Sequence, residues 1–369
     1  PENGLRPHRL ARRPGRCRQP LTPFARGRRN APAAADSPPV AMQTPTRSSP
    51  PPEPAWREPG QVKDPLYRRS GRLRYEAEAD DIVGRNGSLF NNRPLYGPAP
   101  DRGVVLGGDR PFLRLLNDRF VAGSLALGLI RHDTSAWMHD FTSIEMRYHG
   151  GRLTWIAADP RFPGATLQLT ALPLDNAAGF AVRLSGSGFQ PGDRLVWTFG
   201  HAWTEEQPRW RWDPIMRGNP NICRSGDPRK TEGTLSFLPD QSRSNQLHCG
   251  GAHFNLRPQP EAAEGAIGAF DPPAQLQAAD AAALDSPAGL LASAGAESPV
   301  LCAWHSPATG AAELFAAVAI AAAPAIPAAA PALQPRSAFA AAQAYRDSIE
   351  RIRVHTPEAR LNAAVAAVC

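Results

Sequence analysis

Two short segments combine residue types that recognise polar ligands. The first is Asn91-Asn92-Arg93-Pro94-Leu95-Tyr96-Gly97, and the second is Gly107-Gly108-Asp109-Arg110-Pro111. Each sets a guanidinium, amides or a carboxylate beside Gly and Pro, which restrict or release the backbone. Arg93, Tyr96, Asp109 and Arg110 could thus hydrogen-bond sugar hydroxyls or a uronate. The competing reading is internal: Arg93 and Asp109 pair and tie a loop to a sheet.

A second constellation is Gly200-His201-Ala202-Trp203 with Trp210-Arg211-Trp212-Asp213. Aromatic faces stack on the C–H faces of sugars, and neighbouring polar groups read hydroxyls. His201 could act as an acid or base. Trp203, Trp210, Trp212 and Asp213 would line the same groove. Trp is also a common core residue, so burial is the alternative. A third group, His248-Cys249-Gly250-Gly251-Ala252-His253, has ligand-type side chains but no second cluster to complete a metal site. Its alternation fits a strand leaving a Gly-Gly turn. No metal and no cofactor are expected. There is no P-loop, no GxGxxG after a strand, no GxSxG and no HExxH. The acids Asp80-Asp81 and Glu205-Glu206 are neighbours in sequence, which does not set the separation a glycosidase needs.

The elements that must position these residues read as β. Short runs separated by turn residues recur through 66–325. They include Gly103–Leu106, Phe112–Leu116, Ser124–Ile130, Ser143–His149, Arg152–Ala157, Thr166–Ala171, Gly179–Ser185 and Arg194–Phe199. Gly150-Gly151 fits a tight hairpin, Pro191-Gly192-Asp193 a turn, and Gly186-Ser187-Gly188 a loop between strands. Residues 258–300, rich in Ala, Pro and Asp, read as a surface excursion. Leu301–His305 and Ala311–Ile320 read as the last strands, the second ambiguous against helix. The spacing points to a mainly β fold, a large antiparallel β-sandwich. Ser337–Arg353 then reads as a helix capped by Ser337, with Phe339, Ala342, Tyr345, Ile349 and Ile352 on one face. Thr356-Pro357-Glu358 opens another helix whose apolar stripe, Leu361, Ala364, Val365 and Val368, needs a partner beyond the chain. The expected organisation is a disordered tail over 1–65, a sandwich over 66–335, a linker helix over 336–355 and the start of a truncated helical domain over 356–369.

The net charge of +7 is a property of the tail. Residues 1–35 hold nine arginines against the single acid Glu2, and the remainder carries 32 basic and 33 acidic side chains. The folded part is near neutral, so nucleic acid is not its expected partner. No run of about 20 uninterrupted apolar residues marks a membrane span, and no signal peptide is visible. The five cysteines form no CxxC pair, which argues against a structural zinc site. Cys223 and Cys249 could bridge in an exported protein, although isolated thiols are the simpler state.

The segments NNRPLYG and GGDRPF, with the stretch from FGHAW through GNPNICRSGDP to NQLHCGGAHFNL, resemble bacterial domain-of-unknown-function family 4450, which is linked to glycoside hydrolases. The resemblance covers about residues 66–369, and Pro94 departs from the usual Ala. It implies an N-terminal β supersandwich, a helical linker and a six-hairpin (α/α) toroid, whose first helix would be LNAAVAAVC. It further implies that the catalytic acids lie mainly on the toroid, so none is assigned to this chain. The expected function is the sandwich part of a glycoside hydrolase-like protein, shaping the cleft of that toroid. A poly- or oligosaccharide is the expected ligand, and a bacterial secreted or periplasmic location is expected. A non-catalytic carbohydrate-binding or assembly module is the alternative.

Overall fold

A computed structural model describes residues 75–87, 93–98, 103–116, 121–200, 242–258, 262–293, 297–322, 333–350, 352 and 354–368. The expected tail therefore lies outside the described residues. In chain order the strands are β1 (Tyr75–Glu78), β2 (Asp81–Arg85), β3 (Arg93–Leu95), β4 (Val104–Gly107), β5 (Phe112–Leu116), β6 (Val121–Arg131), β7 (Thr134–Trp137), β8 (Ser143–His149) and β9 (Arg152–Ala158). They continue as β10 (Thr166–Pro173), β11 (Gly179–Phe189), β12 (Arg194–Gly200), β13 (Gln246–Gly250), β14 (His253–Arg257), β15 (Glu264–Asp271), β16 (Gln275–Asp280), β17 (Pro299–His305) and β18 (Gly310–Ala322). The helices are α1 (Pro287–Ala292), α2 (Pro335–Ile349) and α3 (Ala359–Val368).

These strands build two antiparallel sheets. The larger runs β1-β2-β8-β9-β10-β11-β18-β15-β14-β13, and the smaller runs β16-β17-β12-β6-β5-β4-β3, with β7 added beside β6. Alternation explains the layering: Ile144 and Met146, Leu153 and Trp155, and Leu167 and Leu169 point inward at every second position. They meet Leu113, Leu115, Leu125, Leu127, Leu195 and Trp197 of the smaller sheet in one core. Trp155 ties the two layers further, because its indole N–H donates to the Gly108 carbonyl at 2.9 Å.

Turn chemistry sets the register. Gly150 and Gly151 have φ of 50° and 72° and join His149 to Arg152 as a two-residue hairpin. The Pro191-Gly192-Asp193 turn instead carries the chain from the larger sheet to the smaller one, with the Asp193 N–H donating to the Gln190 carbonyl at 3.1 Å.

Four expectations need correction. Residues 258–300 are not a surface excursion: they contain β15, paired with β14 and β18 inside the larger sheet, and β16. Its small residues are a packing requirement, since a Cβ on Gly268 would come within 2.2 Å of the Phe254 ring. Gly186-Ser187-Gly188 is not a loop but the bulged end of β11. Gly188, at φ +74°, passes so close to the Gly164 carbonyl that no side chain fits. Helix α2 starts with Pro335 at its first turn rather than at Ser337 and stops at Ile349, leaving Ile352 exposed beyond it. Finally, α3 packs its buried Ala363 and Ala366 on the sandwich, and the Gly150 N–H donates to the Ala366 carbonyl at 3.2 Å. Small alanines, not the expected Leu361 stripe, allow that close approach, and Leu361 stays 49% exposed. The ambiguous Ala-rich segment is a strand, β18, buried between β11 and β15.

Candidate functional site

Where β1 and β8 of the larger sheet meet β3 of the smaller one, polar and aromatic side chains gather. Arg93 on β3 lies with its guanidinium 4.3 Å from the Tyr75 ring centre, a cation–π contact. The Tyr75 hydroxyl donates to Asp109 Oδ1 at 2.7 Å. Asp109 is buried in the turn between β4 and β5, and Gly87 makes room for it: a Cβ there would lie 2.3 Å from Asp109 Oδ2. Tyr75 therefore links Arg93 and Asp109, which serves the tethering role the sequence suggested for a direct pair.

Two further side chains complete the group. Tyr148, at the end of β8, packs its ring against the core edge. Burial raises its pKa, and the nearby positive charges of Arg346 and Arg93 offset only part of that rise, so it stays a protonated donor. Arg346 of α2 donates to the Tyr96 carbonyl and lies over Gly151, where a Cβ would come within 2.6 Å of its Nη1. Burial pulls its pKa down. Tyr96 itself is 56% exposed.

The structure thus brings Arg93, Tyr96 and Asp109 to one place, but gives them different work. Asp109 faces inward, while Tyr96 faces solvent. Arg110 straps the fold, donating to the carbonyls of His139 and Phe141 at 3.1 and 3.2 Å. His201, Trp203, Trp210, Trp212 and Asp213 lie outside the described residues. Tyr75, Tyr148 and Arg346 carry no motif that singles them out. Tyr148 beside the Gly-Gly hairpin was the nearest signal; Arg346 meets Tyr96 across 250 positions of chain.

On the outer face of β1, β2 and β8, a separate network pairs acids with arginines. Arg85 meets Glu76 at 2.9 Å and Glu145 at 3.0 Å, and also Glu78. Arg147 meets Glu145, Glu78 and Asp81 at 2.6, 2.9 and 3.2 Å. The Arg85 bond, aided by Arg147, holds Glu78 below the usual carboxylate range. Acids held ionised in this way are poor proton donors. Among the described residues no group of three or more His, Cys, Asp or Glu could hold a metal ion. Cys302 is buried and its thiol is pushed up to about 12, chiefly by burial, so it is inert at neutral pH.

Residues 120–214 match the family model described as Domain of unknown function (DUF4450). The match spans β6 to β12, the centre of both sheets, and takes in Tyr148 but not Tyr75, Arg93, Tyr96 or Arg346. No curated protein matches the chain.

Proposed function

Residues 120–214 belong to the DUF4450 family, and from that premise we propose that the sandwich is the glycan-binding part of a glycoside hydrolase-like protein, shaping one wall of a substrate cleft. The observation that carries this reading is the exposed ring of Tyr96 beside Arg93, Tyr148 and Arg346. An aromatic face with flanking N–H and O–H donors is the combination that recognises a pyranose. Among the described residues the carboxylate of this group is Asp109, which is buried and hydrogen-bonded, and the reading gives this end a binding role. Among the described residues no helix is long and apolar enough to cross a membrane. A polysaccharide ligand puts the protein outside the cytoplasm, in the periplasm or secreted.

The test is calorimetric titration of the full chain against a panel of oligosaccharides. Tyr96→Ala should weaken the best ligand about tenfold while leaving the unfolding midpoint unchanged. Absence of any glycan binding, or affinity indifferent to Tyr96→Ala, would sink the reading.

A further inference from the structure

We propose that Arg346 and the Tyr148 hydroxyl, with Arg93 alongside, form an anion subsite for the carboxylate of a uronic acid residue. This inference rests on the glycan reading above and narrows it from sugars in general to acidic ones.

The first argument is a missing counter-charge. Arg85, Arg131, Arg147, Arg161 and Arg336 each meet at least one carboxylate within 3.2 Å. Arg346 meets none among the described residues, although it is half-buried. The Tyr96 carbonyl accepts from one terminal nitrogen, and Nε is buried with no acceptor. The titratable groups whose charge it feels are phenols: Tyr148, and Tyr345 with its ring centre 5.9 Å from the guanidinium. A guanidinium withdrawn from water without an opposite charge is costly, and an anion from outside relieves that cost.

The second argument is the donor set. No hydrogen bond to a described residue occupies the hydroxyls of Tyr148 or Tyr96. Tyr148 feels the charge of both Arg346 and Arg93, so its O–H sits in a positive field with no acceptor among the described residues. A planar guanidinium beside a phenol hydroxyl matches the two oxygens of a carboxylate. The third argument is the exposed Tyr96 ring, whose backbone carbonyl Arg346 holds. A free inorganic anion has no use for that ring; a sugar carrying its own carboxylate uses both.

The deciding experiment titrates the full chain with a galacturonic acid trisaccharide and the matching galactose trisaccharide, with acetate and phosphate as further ligands at equal ionic strength. The acidic trisaccharide should bind about tenfold more tightly than the neutral one, as one charged hydrogen-bonding contact warrants. That preference should shrink as salt rises. Arg346→Gln should erase it, bringing the affinity for the acidic trisaccharide down to that for the neutral one. Tyr148→Phe, which leaves the ring in place, should reduce it by a smaller factor, and this variant decides if Arg346→Gln does not fold. Equal affinity for the two trisaccharides overturns the acidic subsite and leaves the glycan reading standing. Acetate or phosphate bound as tightly as the acidic sugar overturns the inference in favour of a general anion site. Loss of all trisaccharide binding overturns both readings.

Discussion

Arg131 and Arg346 both hold guanidinium groups away from bulk water, and the chain treats them differently. Arg131, at the end of β6, forms a two-pronged pair with Asp193, Nε to Oδ1 at 2.9 Å and Nη2 to Oδ2 at 2.7 Å. Its remaining donors reach the carbonyls of Pro163 and Gly188, each at 2.9 Å. Asp193 also accepts from the Gln190 N–H at 2.9 Å, closing the turn that carries the chain between sheets. Burial alone would raise the Asp193 pKa, but the bonds from Arg131 and Gln190 win and hold it below its ordinary value. Each guanidinium nitrogen there has an acceptor within the fold. Arg346, by contrast, has the Tyr96 carbonyl as its acceptor among the described residues, and its Nε has none. A charge satisfied from within is architecture, and a charge left unsatisfied is available to a ligand.

The largest expected effect tests the satisfied side. Asp193→Ala leaves the buried Arg131 without its partner and should cost about 3–5 kcal/mol. Urea denaturation followed by tryptophan fluorescence reads this directly. A loss below about 1 kcal/mol would mean the corner behaves like a surface ion pair, and the contrast with Arg346 would collapse.

The two regions should also part on a pH axis. The Asp193 pKa is depressed in the fold, so its contribution is present above the unfolded carboxylate value near 3.9 and is lost as pH falls through the folded value. His139 starts the acid loss earlier. Burial, stronger than the pull of Asp140, lowers its pKa to about 4, and its ring stacks on Trp137 at 6.2 Å. Its stabilisation is present above the unfolded value near 6.5 and drains away by about pH 4, roughly 3 kcal/mol over that window. Tyr148, raised by burial, acts at the other extreme: its contribution is full below about pH 10 and lost as pH rises through the folded value. Unfolding free energies measured from pH 3 to 11 should therefore show an acid limb reduced by His139→Gln and an alkaline limb reduced by Tyr148→Phe. An acid limb untouched in His139→Gln would remove the buried neutral imidazole from the account.

Local chemistry made much of the fold legible. Phe112–Leu116 and Ser143–His149 are strands over the spans that alternation predicts, and the Gly150-Gly151 turn follows from residue type alone. What stayed hidden depends on partners distant in sequence. Gly265, Ala266, Gly268 and Ala269 look like loop residues until β14 pairs alongside, with Phe254 over Gly268 and the Leu256 carbonyl over Gly265. The same holds for the site. Arg93 and Tyr96 share one segment and were readable as a pair of ligand-type residues. Arg346 gains meaning only when α2 lies on the outer face of the larger sheet, with Phe339 edge-on to Phe315 at 5.7 Å, and so brings the guanidinium to Gly151 and Tyr96.

The smallest expected effect is the sharpest test of the contrast. Arg346→Met removes a half-buried positive charge but strands no carboxylate, because none faces it among the described residues. The methionine keeps an unbranched apolar side chain of similar length, and the loss is one hydrogen bond to the Tyr96 carbonyl. That bond is worth about 1 kcal/mol, and release of the unpaired guanidinium from its half-buried position offsets it. The unfolding midpoint should shift by no more than about 2–4 °C in either direction. A drop matching that of Asp193→Ala would mean that Arg346 already has an anionic partner within the chain. The acidic-sugar subsite would then have no vacant charge to offer.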